Sequence, residues 1–144
     1  MTMLHLGVVD MPYSNAPGTT TGDVAGYLEN KYHIMEVFWE LAISNGAPLQ
    51  RHFENALSGE LESIMMGKPP GANPFAGGED AIKVAFSKFL ESRQMEALGI
   101  PGVPTRAAME GVSHRFKNRR NPRGRRPSFV DTGLYESSFR AWFT

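Results

Sequence analysis

The chain has 144 residues, no cysteine and a formal net charge of zero. This length suits one domain that buries roughly 70% of the surface of its unfolded chain, enough for a core without disulfides or metal. The lack of cysteine excludes disulfide scaffolds, thiolate zinc sites and cysteine nucleophiles. Residues 1–10 lack the basic start of a signal peptide, and no apolar run approaches the roughly 20 residues of a membrane helix, so we expect no membrane contact.

The zero net charge conceals two parts of opposite sign. Up to His114 the sequence has 7 Lys and Arg against 13 Asp and Glu, a net charge of −6. From Arg115 onward it has 8 against 2, a net charge of +6. Such an asymmetry indicates a macromolecular partner, or subunits that stack an acidic face on a basic one.

The first predicted unit is an extended N-terminal arm over residues 1–22. Residues 12–22 are turn formers and small polar residues, so we expect them to be mobile unless a neighbouring chain holds them. Within this arm, residues 4–9 are one of two strand candidates in the sequence.

Residues 23–144 are predicted to form a single helix-rich domain. Apolar residues at helical spacing predict a helix over residues 24–43, capped by Asp23, and a second helix over residues 48–66. We expect the apolar stripe of the second helix to face the core. Its members are Leu49, Phe53, Ala56, Leu57, Leu61, Ile64 and Met65.

The middle of the chain predicts a loop and two further helices. Three prolines and four glycines over residues 67–78 leave no regular element possible there. A third helix is expected to begin at Glu79, where negative charge suits the helix dipole, and to close at Gly99. Thr105 is expected to cap a fourth helix over residues 106–116.

Two short elements are predicted near the C-terminus. A turn of helix over residues 134–138 follows a cap at Asp131 or Thr132, and large apolar residues alternate over residues 139–143, which suits a strand. The predicted fold class is therefore α+β: a helix-dominated single domain with a small β-sheet or hairpin formed by the terminal segments.

No group of residues stands at active-site spacing. His33 with Glu36 and Glu40 comes nearest to a helical metal site, but the second histidine of the H-E-x-x-H pattern is missing. The Gly-rich residues 71–78 follow a helix rather than a strand, which disfavours a phosphate-binding loop. We therefore expect no enzymatic activity, no metal and no organic cofactor.

The strongest charge signal is a basic loop over residues 115–127. Its seven cations are Arg115, Lys117, Arg119, Arg120, Arg123, Arg125 and Arg126. Interspersed Asn, Pro and Gly disfavour a helix, and arginine favours bidentate contact with phosphate or carboxylate. We predict contact with a nucleic-acid backbone or an acidic partner surface. The alternative is a solvated loop that only neighbouring chains order.

Aromatic residues cluster at the C-terminal end of the sequence. They are Phe129, Tyr135, Phe139, Trp142 and Phe143. Large aromatics beside a charge boundary are typical of a core or a subunit interface. We take these five as candidate interface residues.

The run R-P-S-F-V-D-T-G-L-Y-E-S-S-F-R-A-W resembles the end of neck and tail-completion proteins of tailed phages. Those proteins carry a threonine-glycine-x-leucine-x-x-serine signature just before a strand. Here the matching residues are Thr132, Gly133, Leu134, Ser137 and Ser138, with the leucine one position earlier than in the common form. The run I-P-G-V-P-T-R-A-A-M-E-G resembles the proline-arginine segment that precedes a short helix in this family. The resemblance covers residues 100–144.

The resemblance implies a structural protein of the virion, made in the host cytoplasm, that forms a ring at the head–tail junction. Such rings are commonly six-fold or a multiple, and they have no catalytic residues and no cofactor. The implied partners are further copies of the chain, the adjacent connector and tail proteins, and the backbone of genome DNA in the lumen. The alternatives are another tail terminator or baseplate protein, or a non-sequence-specific nucleic-acid-binding protein that uses the Arg-rich loop.

Overall fold

The structure is a computed structural model that describes residues 3–14, 16–44, 46–112, 124–131 and 133–144. Helices dominate it, and its two strands come from the two ends of the chain, which confirms the predicted α+β class. The elements follow in chain order: β1 (Leu4–Val8), α1 (Thr21–Tyr32), α2 (Ile34–Phe38), a π-helical turn (Trp39–Ile43), α3 (Gln50–Met65), α4 (Ala76–Glu91), α5 (Gln94–Ala97), α6 (Arg106–Glu110), α7 (Leu134–Ser138) and β2 (Phe139–Phe143).

The two strands form an antiparallel pair that joins the ends of the chain. Leu4 is opposite Phe143 and Val8 is opposite Phe139. Backbone hydrogen bonds from the Met3 nitrogen to Thr144, 2.9 Å, and from the Thr144 nitrogen to Met3, 3.0 Å, extend the ladder. A two-stranded sheet is marginal in water by itself, so this one depends on α4, which packs across β2.

The core is built around three phenylalanine rings that pack together. Phe86 of α4 lies parallel to Phe139 of β2, with ring centroids 3.9 Å apart, and Phe38 of α2 meets the edge of Phe86 at 5.2 Å. All three rings are at most 1% exposed. One aromatic cluster therefore ties two helices to the sheet.

The predicted helix over residues 24–43 is interrupted. His33 takes a left-handed conformation, φ 53°, and separates α1 from α2. The Glu29 carboxylate then accepts hydrogen bonds from the backbone N–H groups of Met35, 2.8 Å, and Glu36, 3.1 Å, at the start of α2. A side chain of the first helix thus satisfies donors that the interruption leaves without an intrahelical partner.

The start of α1 also differs from the prediction by a few residues. Thr20 is the N-cap, and Asp23 stands three residues on as the carboxylate of a capping box. The Thr20 hydroxyl accepts from the Asp23 backbone N–H, while the Asp23 carboxylate accepts from the Thr20 backbone N–H. Asp23 therefore supports the cap and does not itself occupy the cap position.

The predicted extended arm over residues 1–22 is wrong for its described residues. After β1 the chain closes into a loop, in which Tyr13 and Thr21 are buried. The Thr21 hydroxyl donates to the Val9 carbonyl, 2.7 Å, and accepts from the Met11 N–H, 2.8 Å. One hydroxyl thus bridges both sides of the loop, so the body of the same chain orders this segment.

The later elements follow the sequence pattern more closely. The Thr105 hydroxyl accepts from the Ala108 N–H at 3.2 Å and caps α6, as expected. This helix ends at Gly111, whose φ of 66° is left-handed, well before the predicted end at residue 116. Among the described residues no helix is long and apolar enough to cross a membrane.

Replacing a core ring tests the assigned packing. We expect Phe86→Ala to lower the free energy of unfolding by about 3–5 kcal/mol, because it removes buried surface and leaves a cavity. Val84→Ala on the same helix is the matched control, since Val84 is 54% exposed and its change should stay within about 0.5 kcal/mol. Urea unfolding followed by tryptophan fluorescence measures both, and equal losses would contradict the core described here.

Removing the hydroxyl of Thr21 tests the closed loop. We expect Thr21→Val to lower the free energy of unfolding by about 1–3 kcal/mol, since the Val9 carbonyl and Met11 N–H each lose a partner. Cleavage by chymotrypsin after Tyr13 should become faster than in the parent chain. Thr21→Ser keeps the hydroxyl and should resist cleavage like the parent; if both variants were cleaved at the same rate, the bridge would not be what closes the loop.

Candidate assembly surface

The basic loop is described only at its C-terminal end. Five of the predicted contact residues lie outside the described residues: Arg115, Lys117, Arg119, Arg120 and Arg123. The two that are described, Arg125 and Arg126, both bind other parts of the same chain. They therefore anchor the end of the segment to the body.

Arg125 takes part in a network centred on Glu96 of α5. Its guanidinium lies 3.0 Å from one carboxylate oxygen, and the other oxygen accepts from the backbone N–H and the hydroxyl of Ser128, both at 3.0 Å. Burial raises the pKa of Glu96, but the hydrogen bonds from Ser128 and the charge of Arg125 outweigh it, so the pKa lies below its ordinary value. The network therefore stabilises the ionised form of the Glu96 carboxylate.

The side chain of Arg126 forms hydrogen bonds and an ion pair that link separate segments of the chain. Its guanidinium donates to the carbonyls of Val130, 2.7 Å, and Val112, 2.9 Å, and lies 3.7 Å from Asp131. Its side chain is only 19% exposed. Its prediction as a partner-contact residue is therefore corrected, because the donors that would reach a phosphate already hold the fold.

The five candidate interface aromatics separate into core and surface. Tyr135 and Phe139 are 4% and 0% exposed and belong to the core, which corrects their assignment to an interface. Phe129 is half-buried against Tyr32, with ring centroids 5.0 Å apart.

The last two aromatics lie at the outer end of β2. Phe143 is half-buried and lies against Phe53 and Phe75, with ring centroids 5.3 and 4.5 Å apart. Trp142 is 41% exposed and stacks on His5 at 5.4 Å. Of the five predicted aromatics, Trp142 therefore offers the largest ring to a neighbouring chain.

The largest departure from the prediction is helix α3. All 16 of its residues are described, and none is buried. Its outer face carries four large apolar side chains, which we call the α3 stripe; they are Leu57, Leu61, Ile64 and Met65, exposed by 54, 60, 44 and 80%. Spacings of three and four residues place them on one side of the helix. The expectation that they face the core is wrong.

The side of α3 that faces the body is partly polar. The half-buried residues of α3 are Gln50, Phe53, Ala56, Glu60 and Ser63. Phe53 lies so close to Gly78 of α4 that a Cβ there would overlap its ring. The Glu60 carboxylate accepts a hydrogen bond from the Gly71 backbone N–H. Helix α3 therefore contacts the rest of the chain through the Phe53 ring and the Glu60 hydrogen bond. Its most apolar face is exposed to solvent.

A second surface feature is a groove of about 400 Å³, which we call the α1–α6 groove. Its lining comes from α1, α6 and the segment before β2; the residues are Val24, Tyr27, Leu28, Lys31, Tyr32, Thr105, Arg106, Ala107, Arg126, Phe129, Asp131 and Tyr135. Most of the lining residues are apolar or aromatic. The charged ones are three cations, Lys31, Arg106 and Arg126, and one carboxylate, Asp131. Such a groove suits an apolar partner that carries negative charge.

Two of these cations are at the exposed edge of the groove. The Lys31 amine donates to the Tyr27 hydroxyl at 3.2 Å and lies 5.1 Å from the centroid of the Tyr32 ring. The hydrogen bond to Tyr27, above all, raises the pKa of Lys31. Arg106 has a side chain that is 80% exposed and contacts Glu110 through Nε at 2.6 Å, which uses one of its three guanidinium nitrogens.

One group of side chains has the composition of a metal site. The ligand atoms of Glu29, His33 and Glu36 lie within 4.8 Å of one another. The predicted Glu40 is not among them, whereas Glu29 is, four residues before His33 on the preceding helical turn. Both Glu29 oxygens already accept backbone hydrogen bonds, and His33 Nδ1 lies 3.0 Å from Glu36. Capping of α2 therefore accounts for this arrangement.

Comparison of the sequence with protein-family models and with curated proteins finds no match, and comparison of the fold with solved structures finds none either.

The Glu96 network predicts a pH dependence of stability. Because folding lowers the pKa of Glu96, its ionised form stabilises the fold above the ordinary value of 4.5, and this contribution is lost as the pH falls through the lowered pKa. We expect Glu96→Gln to destabilise the protein at neutral pH and to have a progressively smaller effect below pH 4.5. Urea unfolding of parent and variant across this range measures it; a difference that does not shrink on acidification would contradict the assigned network.

Proposed function

We propose that this chain is a non-enzymatic structural protein of a tailed phage. Its copies form a neck or tail-completion ring, six-fold or a multiple, that joins the head connector to the tail. In this proposal the chain is made in the host cytoplasm, is incorporated at the head–tail junction of the virion, and surrounds the passage of genome DNA. Its other partners are the adjacent connector and tail proteins.

The observation that carries the assembly role is the α3 stripe. Isolated apolar residues are common on protein surfaces, but a contiguous row on one helix marks an interaction site. Four side chains of this size, exposed by 44–80%, would lose much contact with water on assembly. A subunit that works inside a larger particle accounts for such a face better than a protein that works alone.

The assignment to a phage neck is supported by the resemblance at the C-terminus. In the described part of that region, Gly133 takes a left-handed conformation at the start of α7, and β2 follows at once. A signature just before a strand is the arrangement that the resemblance implies. The charge split adds further support, since a body of net charge −6 and a C-terminal part of net charge +6 suit subunits or rings that stack.

The proposal is tested in a phage that carries this gene. We expect a nonsense mutation to yield DNA-filled heads and separate tails, because the junction between them is missing. The parent chain supplied in trans should restore tailed, infectious particles. Leu57→Ser with Leu61→Ser should not restore them, because it removes the centre of the α3 stripe, and micrographs scored for unjoined heads and tails measure the outcome.

The matched control replaces exposed apolar residues outside α3. Val84→Ser with Leu98→Ser should complement like the parent, since these side chains are 54 and 45% exposed but stand apart from the stripe. Tailed particles that assemble normally without the chain would contradict the neck assignment. If the purified chain then bound DNA with steep salt dependence, the nucleic-acid-binding alternative would replace the proposal.

A further inference from the structure

We infer that the α3 stripe of one copy docks into the α1–α6 groove of the next copy. The two surfaces belong to one chain, so each copy presents both a helix and a receptor for it. This inference rests on the proposed function for its place in the particle. It goes beyond that function in naming which two surfaces meet and in predicting that copies join head to tail.

The two surfaces are of the kinds that meet in helix-in-groove recognition. Such recognition buries an amphipathic helix through residues three and four positions apart. Leu57, Leu61 and Ile64 have this spacing, and the groove offers them the rings of Tyr27, Tyr32 and Phe129.

The two surfaces also match in charge. On the solvent-facing part of α3, Glu54 and Glu62 stand against the single cation Arg51, a net charge of −1, since Glu60 lies on the inner side. The groove lining carries three cations against Asp131, and Glu110 beside it pairs with Arg106, which leaves a net charge of +1. Complementary charge of this kind selects the partner and its register more than it adds affinity.

The same charges disfavour the simplest alternative, a two-fold contact between two α3 helices. In that arrangement the stripes would meet, but Glu54 and Glu62 of one helix would approach those of the other. Like charges brought together at an interface are unfavourable. Binding of α3 to the cationic groove removes this repulsion and buries the same apolar side chains.

Both surfaces can be occupied at once on one chain. Among the described residues, none belongs to both: α3 packs on α4, whereas α1, α6 and the segment before β2 line the groove. A contact between two different surfaces is heterologous, so it propagates from copy to copy until the rotation closes a ring or continues into a filament. A ring subunit needs a contact of this type.

A mixing experiment with purified protein tests the head-to-tail pattern. The stripe variant is Leu61→Lys with Ile64→Lys, which keeps good helix formers but repels the groove. The groove variant is Lys31→Glu with Arg106→Glu. Every substituted side chain is exposed, so folding should be unaffected, and circular dichroism checks it.

Native mass spectrometry and light scattering then report the assembly state. The parent should form a species larger than a dimer, and each variant alone should be monomeric, with association weakened at least about 30-fold, or about 2 kcal/mol, for a lost anchor. An equimolar mixture should form one-to-one heterodimers and nothing larger, because only one intact pair of surfaces remains. Dimers of the groove variant alone would indicate an α3–α3 contact and overturn the inference, as would a monomeric parent or a mixture that stays monomeric.

A charge exchange provides a second, independent readout. Lys31→Glu with Arg106→Glu should regain assembly when Glu54→Lys and Glu62→Lys are added in the same chain, because the complementarity is restored with opposite sign. Val84→Lys with Leu98→Lys, outside both surfaces, should assemble like the parent. Failure of the exchange to rescue would overturn the pairing. The result is independent of the phage experiment, since purified copies can join head to tail whether or not the ring belongs to a neck.

Discussion

The stack of Phe86 on Phe139 is the contact on which the rest of the fold depends. It packs α4 against β2, and through β2 it holds β1, which pairs with no other strand in the described part of the chain. Phe38 extends the same cluster to α2, so the broken first helix is fixed by the same rings. Helix α3 packs against the body through Phe53, which contacts Phe143 and Gly78, and its N-cap Leu49 is buried. Among the described residues, the four side chains of the α3 stripe are not part of this packed core, so the stripe remains available to a partner.

Local sequence patterns predicted the elements correctly where the contacts that stabilise an element lie close together in the sequence. Leu134–Ser138 and Phe139–Phe143 have the predicted bounds, because alternation and a short helical turn leave few other readings of those residues. The interruption at His33 was not predictable from periodicity, since the apolar pattern continues through it. It depends on the Glu29 carboxylate, which reaches six and seven residues along the chain. The closed loop after β1 likewise depends on contacts that composition cannot reveal, namely the Thr21 hydroxyl and the backbone hydrogen bonds from Tyr13 to Thr19 and from Thr21 to Met11.

In the candidate site, too, some features follow from the local sequence pattern and others only from the tertiary structure. Periodicity identified which residues of α3 share a face, but it cannot tell whether that face meets its own chain or another one. Glu60 lies between Leu57 and Ile64 in the sequence, but only the structure shows that it is half-buried and that the inner side of α3 is the more polar one. For Arg126, charge and neighbours in sequence predicted a partner contact, whereas its donors bind the carbonyls of Val130, four residues later, and of Val112, 14 residues earlier. Only the tertiary structure separates an anchoring arginine from an exposed one.

The pairing of β1 with β2 has a consequence for the order of folding. Leu4 and Phe143 are neighbours in space but lie at opposite ends of the sequence, so their ladder forms only after the helices have brought the ends together. During synthesis β1 emerges early and β2 emerges last of the described elements. Until then β1 presents an unpaired edge, and Phe38 and Phe86 lack the ring that covers them. The nascent chain is therefore most prone to aggregate while β1 has left the ribosome and β2 has not.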